Sequence, residues 1–148
     1  MINAQLITGL SKPTGLAVAG NTLYAGTVGS YNVNTGAAIN ANLITGLNAP
    51  SGLAATGNLR FVSNEIGGTV DKYTISGDSK TATFIKSITG LNGPTGLVVP
   101  SKGSAQLFVA DTFSGTVALC DTNSGTVVTA NFISGLSLPG GLAIKNAK

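Results

Sequence analysis

The chain contains no histidine, and this narrows the chemistry open to it before any other feature is considered. Without an imidazole there is no Ser-His-Asp or Cys-His nucleophile pair, no His-based zinc site and no general base of the commonest kind. What remains is five carboxylates, Glu65, Asp71, Asp78, Asp111 and Asp121, and one thiol, Cys120. The first 64 residues carry no carboxylate at all. No basic residue lies near Cys120 in sequence to lower its pKa, so it reads as a small buried hydrophobe rather than a nucleophile. A lone cysteine also excludes an intramolecular disulfide. The 21 glycines form no phosphate loop, because none precedes a helix.

The elements that must position these groups are written in repeats. Ile7-Thr8-Gly9-Leu10 recurs as Ile44-Thr45-Gly46-Leu47, Ile88-Thr89-Gly90-Leu91 and Ile133-Ser134-Gly135-Leu136. Each is followed at one offset by Pro-x-Gly-Leu, at Pro13–Leu16, Pro50–Leu53, Pro94–Leu97 and Pro139–Leu142. The spacings of 37, 44 and 45 residues match one four-stranded propeller blade. A second set, Gly26-Thr27-Val28, Gly68-Thr69-Val70 and Gly115-Thr116-Val117, opens a β-prone run. Each run ends in a turn, at Thr35-Gly36, Ser76-Gly77 and Ser124-Gly125, where glycine is expected to supply a positive φ.

One repeat therefore predicts four strands. Strand a follows Pro-x-Gly (Leu16–Val18, Leu53–Ala55, Leu97–Val99, Leu142–Ile144), and strand b carries Leu23-Tyr24, Leu59–Val62 and Leu107–Ala110. Strand c begins at Gly-Thr-Val, and strand d runs into Ile-Thr-Gly-Leu, as in Asn42–Ile44 and Asn131–Ile133. The proline turns the chain into the next blade and the glycine lets backbone pack closely. Tyr24, Phe61 and Phe108 align in strand b and predict packing between blades, while Cys120 takes the strand c position of Tyr31 and Tyr73. No sustained helical period appears, so the expected class is all-β.

Pro-x-Gly-Leu-Ala-Val, then a strand ending Val109-Ala110-Asp111, then Gly-Thr-Val resembles NHL-type and SMP-30/gluconolactonase-like β-propellers, above all bacterial exported proteins with many such blades. The resemblance covers essentially the whole chain and implies a secreted or cell-surface setting. Met1–Gln5 has neither a charged stretch nor a continuous apolar run, so no signal peptide is expected in these residues. The resemblance also implies a metal site. Enzymes of the SMP-30 type hold a metal with Glu, Asn and Asp from different blades, and Asn64, Glu65 and Asp111 occupy the equivalent positions after strand b. Such oxygen ligands suit calcium or magnesium. Against it stands a turn role, in which the side-chain oxygen of Asn64 or Asp111 shapes the b–c hairpin. The turn role is preferred, because the first repeat lacks the position and the blades are too few to surround a metal; no cofactor is expected.

The domain organisation predicted is a single propeller-type repeat domain over 1–148. Its repeats lie near 13–47, 50–91 and 94–136, with a partial strand d at 1–10 and a partial strand a at 139–148. Complete propellers use about four to eight blades, so the ring in one chain is incomplete and its two ends expose apolar faces. Self-association to close the ring is the expected partnership. Plain end-to-end joining, however, brings strand a of one copy to strand d of the next and leaves strands b and c missing at each junction.

Composition agrees with a binding or assembly role. Hydrophobic residues make up 43% and charged residues 9%, a balance opposite to that of disordered chains. The net charge of +3 comes from eight basic residues scattered singly, without the stripe that nucleic-acid binding needs. No apolar run is long enough for a membrane span. Asn32, Asn34, Asn40 and Asn42 line edges that suit a carbohydrate ligand or equally ordinary turns, and a protein ligand is the other class. The reading taken is a non-enzymatic scaffold or binding module. Its alternatives are a metal-dependent lactonase-like hydrolase and a propeller fragment without independent function.

Overall fold

In the computed structural model, residues 6–10, 13–25 and 28–145 are described. They form three four-stranded antiparallel sheets, each a consecutive meander, with no helix and no closed barrel among the described residues. The first sheet runs β1 (Leu16–Ala19), β2 (Thr22–Ala25), β3 (Gly29–Asn32) and β4 (Ala38–Asn40). The second holds β5 (Pro50–Thr56), β6 (Leu59–Asn64), β7 (Thr69–Ile75) and β8 (Ala82–Ile88). The third holds β9 (Pro94–Val98), β10 (Gln106–Asp111), β11 (Thr116–Asp121) and β12 (Thr126–Ile133). The architecture is an all-β arc of propeller blades, an incomplete ring.

The sheets stack through faces that alternate along each strand, since successive side chains point to opposite sides of a sheet. Between the first two blades lie Tyr24, Val28, Leu43, Ile44, Val62 and Ile75. Between the second and third lie Ala54, Phe61, Val70, Ile88, Leu107, Val109 and Cys120, with Leu97 beside them. The aligned aromatic of strand b thus faces the following blade: Tyr24 and Phe61 are fully buried in successive seams. Phe108 has no blade beyond it among the described residues and rests, half-buried, with its ring centroid 5.1 Å from that of Phe132.

Near the inner edge, one close contact recurs at every seam. A Cβ built on Gly15 would lie 2.9 Å from the Ser51 carbonyl oxygen, one on Gly52 1.8 Å from that of Thr95, and one on Gly96 2.1 Å from that of Gly140. The glycine of each Pro-x-Gly therefore sits against the backbone of the next unit, with no room for any side chain.

The outer strands carry a second recurring contact. In the first blade Ser30 and Asn40 pair across strands c and d, and in the second Lys72 and Lys86 occupy the same register. Ser30 Oγ donates to the Ser79 carbonyl (2.7 Å) and Asn40 Nδ2 to that of Lys80 (2.8 Å). Lys72 Nζ donates to the Thr122 carbonyl (2.9 Å) and Lys86 Nζ to that of Asn123. Each blade thus holds the c–d turn of its successor by two donors. Burial, and next the charge of Lys86, pull the Lys72 ammonium below its ordinary pKa.

Several expected boundaries move. Strand d of the first repeat is Ala38–Asn40 rather than Asn42–Ile44; Leu43 and Ile44 lie in a turn and fill the seam instead. Gly26 and Thr27 lie outside the described residues, and strand c of this blade starts at Gly29, because the shortened b–c connection puts Val28 at φ 69°. Gly36 and Gly125 have the positive φ expected of them, but in the second blade it falls on Ser79 (φ 59°) rather than Gly77, since that turn is longer.

Leu142–Ile144 form no strand, as no strand b follows to pair with them among the described residues, although Gly140 packs on Gly96 as the repeat requires. Residues 1–5 lie outside the described set and 6–10 form no strand. The Leu6 carbonyl nevertheless abuts Gly36, the place that the Ser87 carbonyl takes beside Gly125. Leu6 and Ser87 both immediately precede the isoleucine of the repeat, so residue 6 stands where a preceding blade would put strand d.

Candidate functional site

Asn64 and Asp111 are the last residues of β6 and β10, and both are buried. Asn64 spans the b–c hairpin through Nδ2, which donates to Thr69 Oγ1 (3.1 Å), but the side-chain oxygens expected to turn it reach elsewhere. Asn64 Oδ1 accepts the backbone N–H of Asn48 (3.2 Å), and Asp111 Oδ1 accepts that of Asn92 (2.6 Å). Asn48 and Asn92 occupy the same place in the repeat, two residues before the proline, so these groups fasten the crossover from one blade to the next. A neighbouring pair of backbone bonds, Glu65 N–H to the Ala49 carbonyl and Thr112 N–H to that of Gly93 (both 3.0 Å), completes the corner. The contact is long-range, and for that reason the hairpin reading missed it.

The other carboxylates are engaged too. Asp71 accepts from Asn64 Nδ2 (2.8 Å) and Ser87 Oγ (2.6 Å). Asp78 accepts from Ser76 Oγ and the Lys80 amide, and these bonds hold its pKa below the usual range. The Ser124 and Asn123 amides do the same for Asp121 in the matching turn. Asn64 and Asp111 serve separate corners, and half-buried Glu65 lies beside the first of them. No group of three or more Cys, Asp or Glu comes together among the described residues. Asn32 caps its own turn by accepting the Asn34 and Thr35 amides, and Asn40 accepts that of Asn42.

Cys120 is fully enclosed in the second seam. Burial, then the charge of Asp111, push its thiol from its ordinary 9.0 up to about 12. The thiol is thus stabilised neutral in the folded state, and that contribution, complete below pH 9, is lost as pH climbs towards 12. A disulfide reagent at about pH 8 is expected to leave Cys120 unmodified in the native chain and to label it at once in denaturant. Rapid native labelling, followed by absorbance, would contradict this placement.

An arrangement that repeat symmetry does not explain lies between the first two blades, at the end bearing the a–b turns. The residues aligned with Arg60 are Leu23 and Leu107, yet Arg60 is only 3% exposed. Its guanidinium carbon lies 4.1 Å from the centroid of the Tyr24 ring, and Nη2 donates to the Tyr24 hydroxyl (2.8 Å). Nη1 donates to the carbonyls of Gly57 (3.0 Å) and Leu59 (2.6 Å). Around the Tyr24 hydroxyl lie Ser79 Oγ (3.3 Å) and, next to that, Thr22 Oγ1 (3.1 Å). The departure from the Leu23/Leu107 column was visible in sequence; its burial against Tyr24 was not.

No family model matches the chain, and no curated protein matches it. Solved structures do. The chain is similar to the computationally designed Ika4 protein at 16% identity and a TM-score of 0.64, over 98% of this chain and 89% of that one. It is similar to a functionally unknown protein from Desulfotomaculum acetoxidans at 16% identity and a TM-score of 0.75, over 93% and 47% of the two chains. A third likeness is to an auxiliary nutrient binding protein from Bacteroides ovatus, at 13% identity and a TM-score of 0.73, over 93% and 44%. The chain spans less than half the length of the latter two. At these identities the likeness is one of fold.

Proposed function

We propose that this chain is a non-catalytic propeller scaffold whose open faces dock further blades of the same kind, supplied by a second copy. One comparison carries the reading. Leu16 and Leu97 hold the same place in strand a; Leu97, covered by the blade before it, is 9% exposed, whereas Leu16 is 65% exposed. The other end repeats the contrast, with Ile133 48% exposed and its equivalent Ile88 1%. Residues that lie inside a seam wherever a neighbouring blade exists are left bare at both ends, so the surface that fits them is another blade face. Four of the five carboxylates, Asp71, Asp78, Asp111 and Asp121, are held by hydrogen bonds within the chain, which suits a structural role better than hydrolysis, and the motif resemblance supports an NHL-like blade without adding an activity.

Light scattering at two protein concentrations tests this. The expected result is a mass above that of the monomer which rises with concentration, and which Leu16→Glu lowers to monomer without loss of the β-sheet circular dichroism signal. A compact monomer at both concentrations would rule the assembly out.

A further inference from the structure

The molecule has a cavity of about 780 Å3 at the end of the arc where the a–b turns gather. It is lined by all three of those turns, including Asn21, Asn58 and Lys102, together with Thr22, Ser79 and the Tyr24–Arg60 pair. The volume is in the range of small-molecule sites. It lies away from the b–c corners that hold Asn64 and Asp111.

Three observations concern its charge. Arg60 brings a permanently charged guanidinium into a nearly solvent-free position, where an uncompensated charge is costly. No Asp or Glu is among the described residues that line the cavity; Asp78, between the lining residues Gly77 and Ser79, is exposed and its carboxylate is engaged by Ser76 Oγ, the Lys80 amide and the Lys80 ammonium (3.9 Å). Within Arg60, Nε–H is buried with no hydrogen-bond partner. Arginine neighbours so arranged present donors without an anion to receive them.

The hydroxyls extend the same polarity. The Tyr24 hydroxyl accepts from Arg60, and the Tyr24, Ser79 and Thr22 hydroxyls then share two bonds among three hydrogens. One hydrogen is left over. In the second seam the equivalent residues are Phe61 and Leu107, an apolar pair packed in the core, so the fold does not itself call for Tyr and Arg here.

We infer that this cavity binds a small polar organic molecule through an oxyanionic group, a carboxylate or a phosphate, received by Arg60 and the Thr22–Ser79 hydroxyls, with Lys102 adding charge at the rim. The glycine and asparagine groups of the turns suit the polar remainder of such a ligand. This inference does not depend on the assembly proposed above.

Calorimetric titration of the full chain with glucuronate, glucose 6-phosphate, inorganic phosphate and neutral glucose tests it. Saturable binding of at least one organic anion is expected, about tenfold or more tighter than glucose, as a charge-assisted hydrogen bond implies. The glucuronate and glucose 6-phosphate arms show which oxyanion is preferred. The double variant Arg60→Leu/Tyr24→Phe installs the pair already used in the second seam, so it is expected to stay folded and to lose that preference. Thr22→Val, which removes one hydroxyl, is expected to weaken anion binding by about threefold or more with folding unaffected. No binding by either organic anion, glucose binding as tightly as both, or unchanged affinity in both variants would overturn the inference.

Discussion

Replacing Gly52 with alanine is expected to cost about 3 kcal/mol or more of folding stability, measured as a fall in the denaturation midpoint. The new Cβ would lie 1.8 Å from the Thr95 carbonyl oxygen and 2.9 Å from both the carbonyl carbon and Ser63 Oγ. All three are fixed. Ser63 Oγ accepts the Gly52 amide and donates to the Thr95 carbonyl (2.7 Å), so it ties two blades together at this point. Relief requires the second and third blades to separate along the seam that buries Phe61, Leu107 and Val109. The φ of Gly52 is not in the left-handed region, so the demand is for space alone. Gly77→Ala is the matched control, because nothing lies within 4 Å of its built Cβ and its φ is likewise unexceptional; a change within about 0.5 kcal/mol is expected there. Equal small effects at the two glycines would refute the close approach.

The second large effect is expected at Phe61. Truncation to alanine removes a fully buried aromatic from the seam and should cost about 3–5 kcal/mol. Phe108→Ala, at the same place in the next repeat, should cost only about 1–2 kcal/mol when measured on dilute protein, because its ring is only half-buried, beside Phe132. The ratio matters more than either value. Chemistry and strand position are the same in both, so only the presence of a following blade separates them. Comparable losses would mean that the face of the third blade is covered after all.

The blade period was legible because it is written twice, in Ile-Thr-Gly-Leu and in Pro-x-Gly-Leu, and because a tight crossover and a crowded inner edge restrict residue choice strongly. Strand b was placed well for the same reason: Leu23-Tyr24, Leu59–Val62 and Leu107–Ala110 all fall within β2, β6 and β10. Boundaries near the outer edge were less legible. Strand d of the first blade is only three residues long, and the left-handed turn residue moved from Gly77 to Ser79 with one lengthened loop. Local propensity does not register such shifts. The crossover bonds of Asn64 and Asp111 were not legible because their partners, Asn48 and Asn92, are 16 and 19 residues away and meet them only after the blade folds back on itself. The charge of Arg60 in a column of leucines is a signal that the reading of strand b passed over, and nothing local shows that Tyr24, 36 residues earlier, would receive it.

The paired donors of strands c and d have a consequence for geometry. Ser30 with Asn40, and Lys72 with Lys86, reach forward to carbonyls on the following unit. A contact of this kind is polar in the sense of direction: donor side meets acceptor side and never its own like. In the third blade that register is held by Leu119 with Thr129, so the donor pairs act inside the chain and not between copies. What copies share is the order of their faces, outgoing to incoming, which joins them head to tail and closes only when the rotation per subunit brings the last back to the first. The same surface chemistry would otherwise propagate as a fibre, so the angle between successive sheets decides whether association ends in a ring.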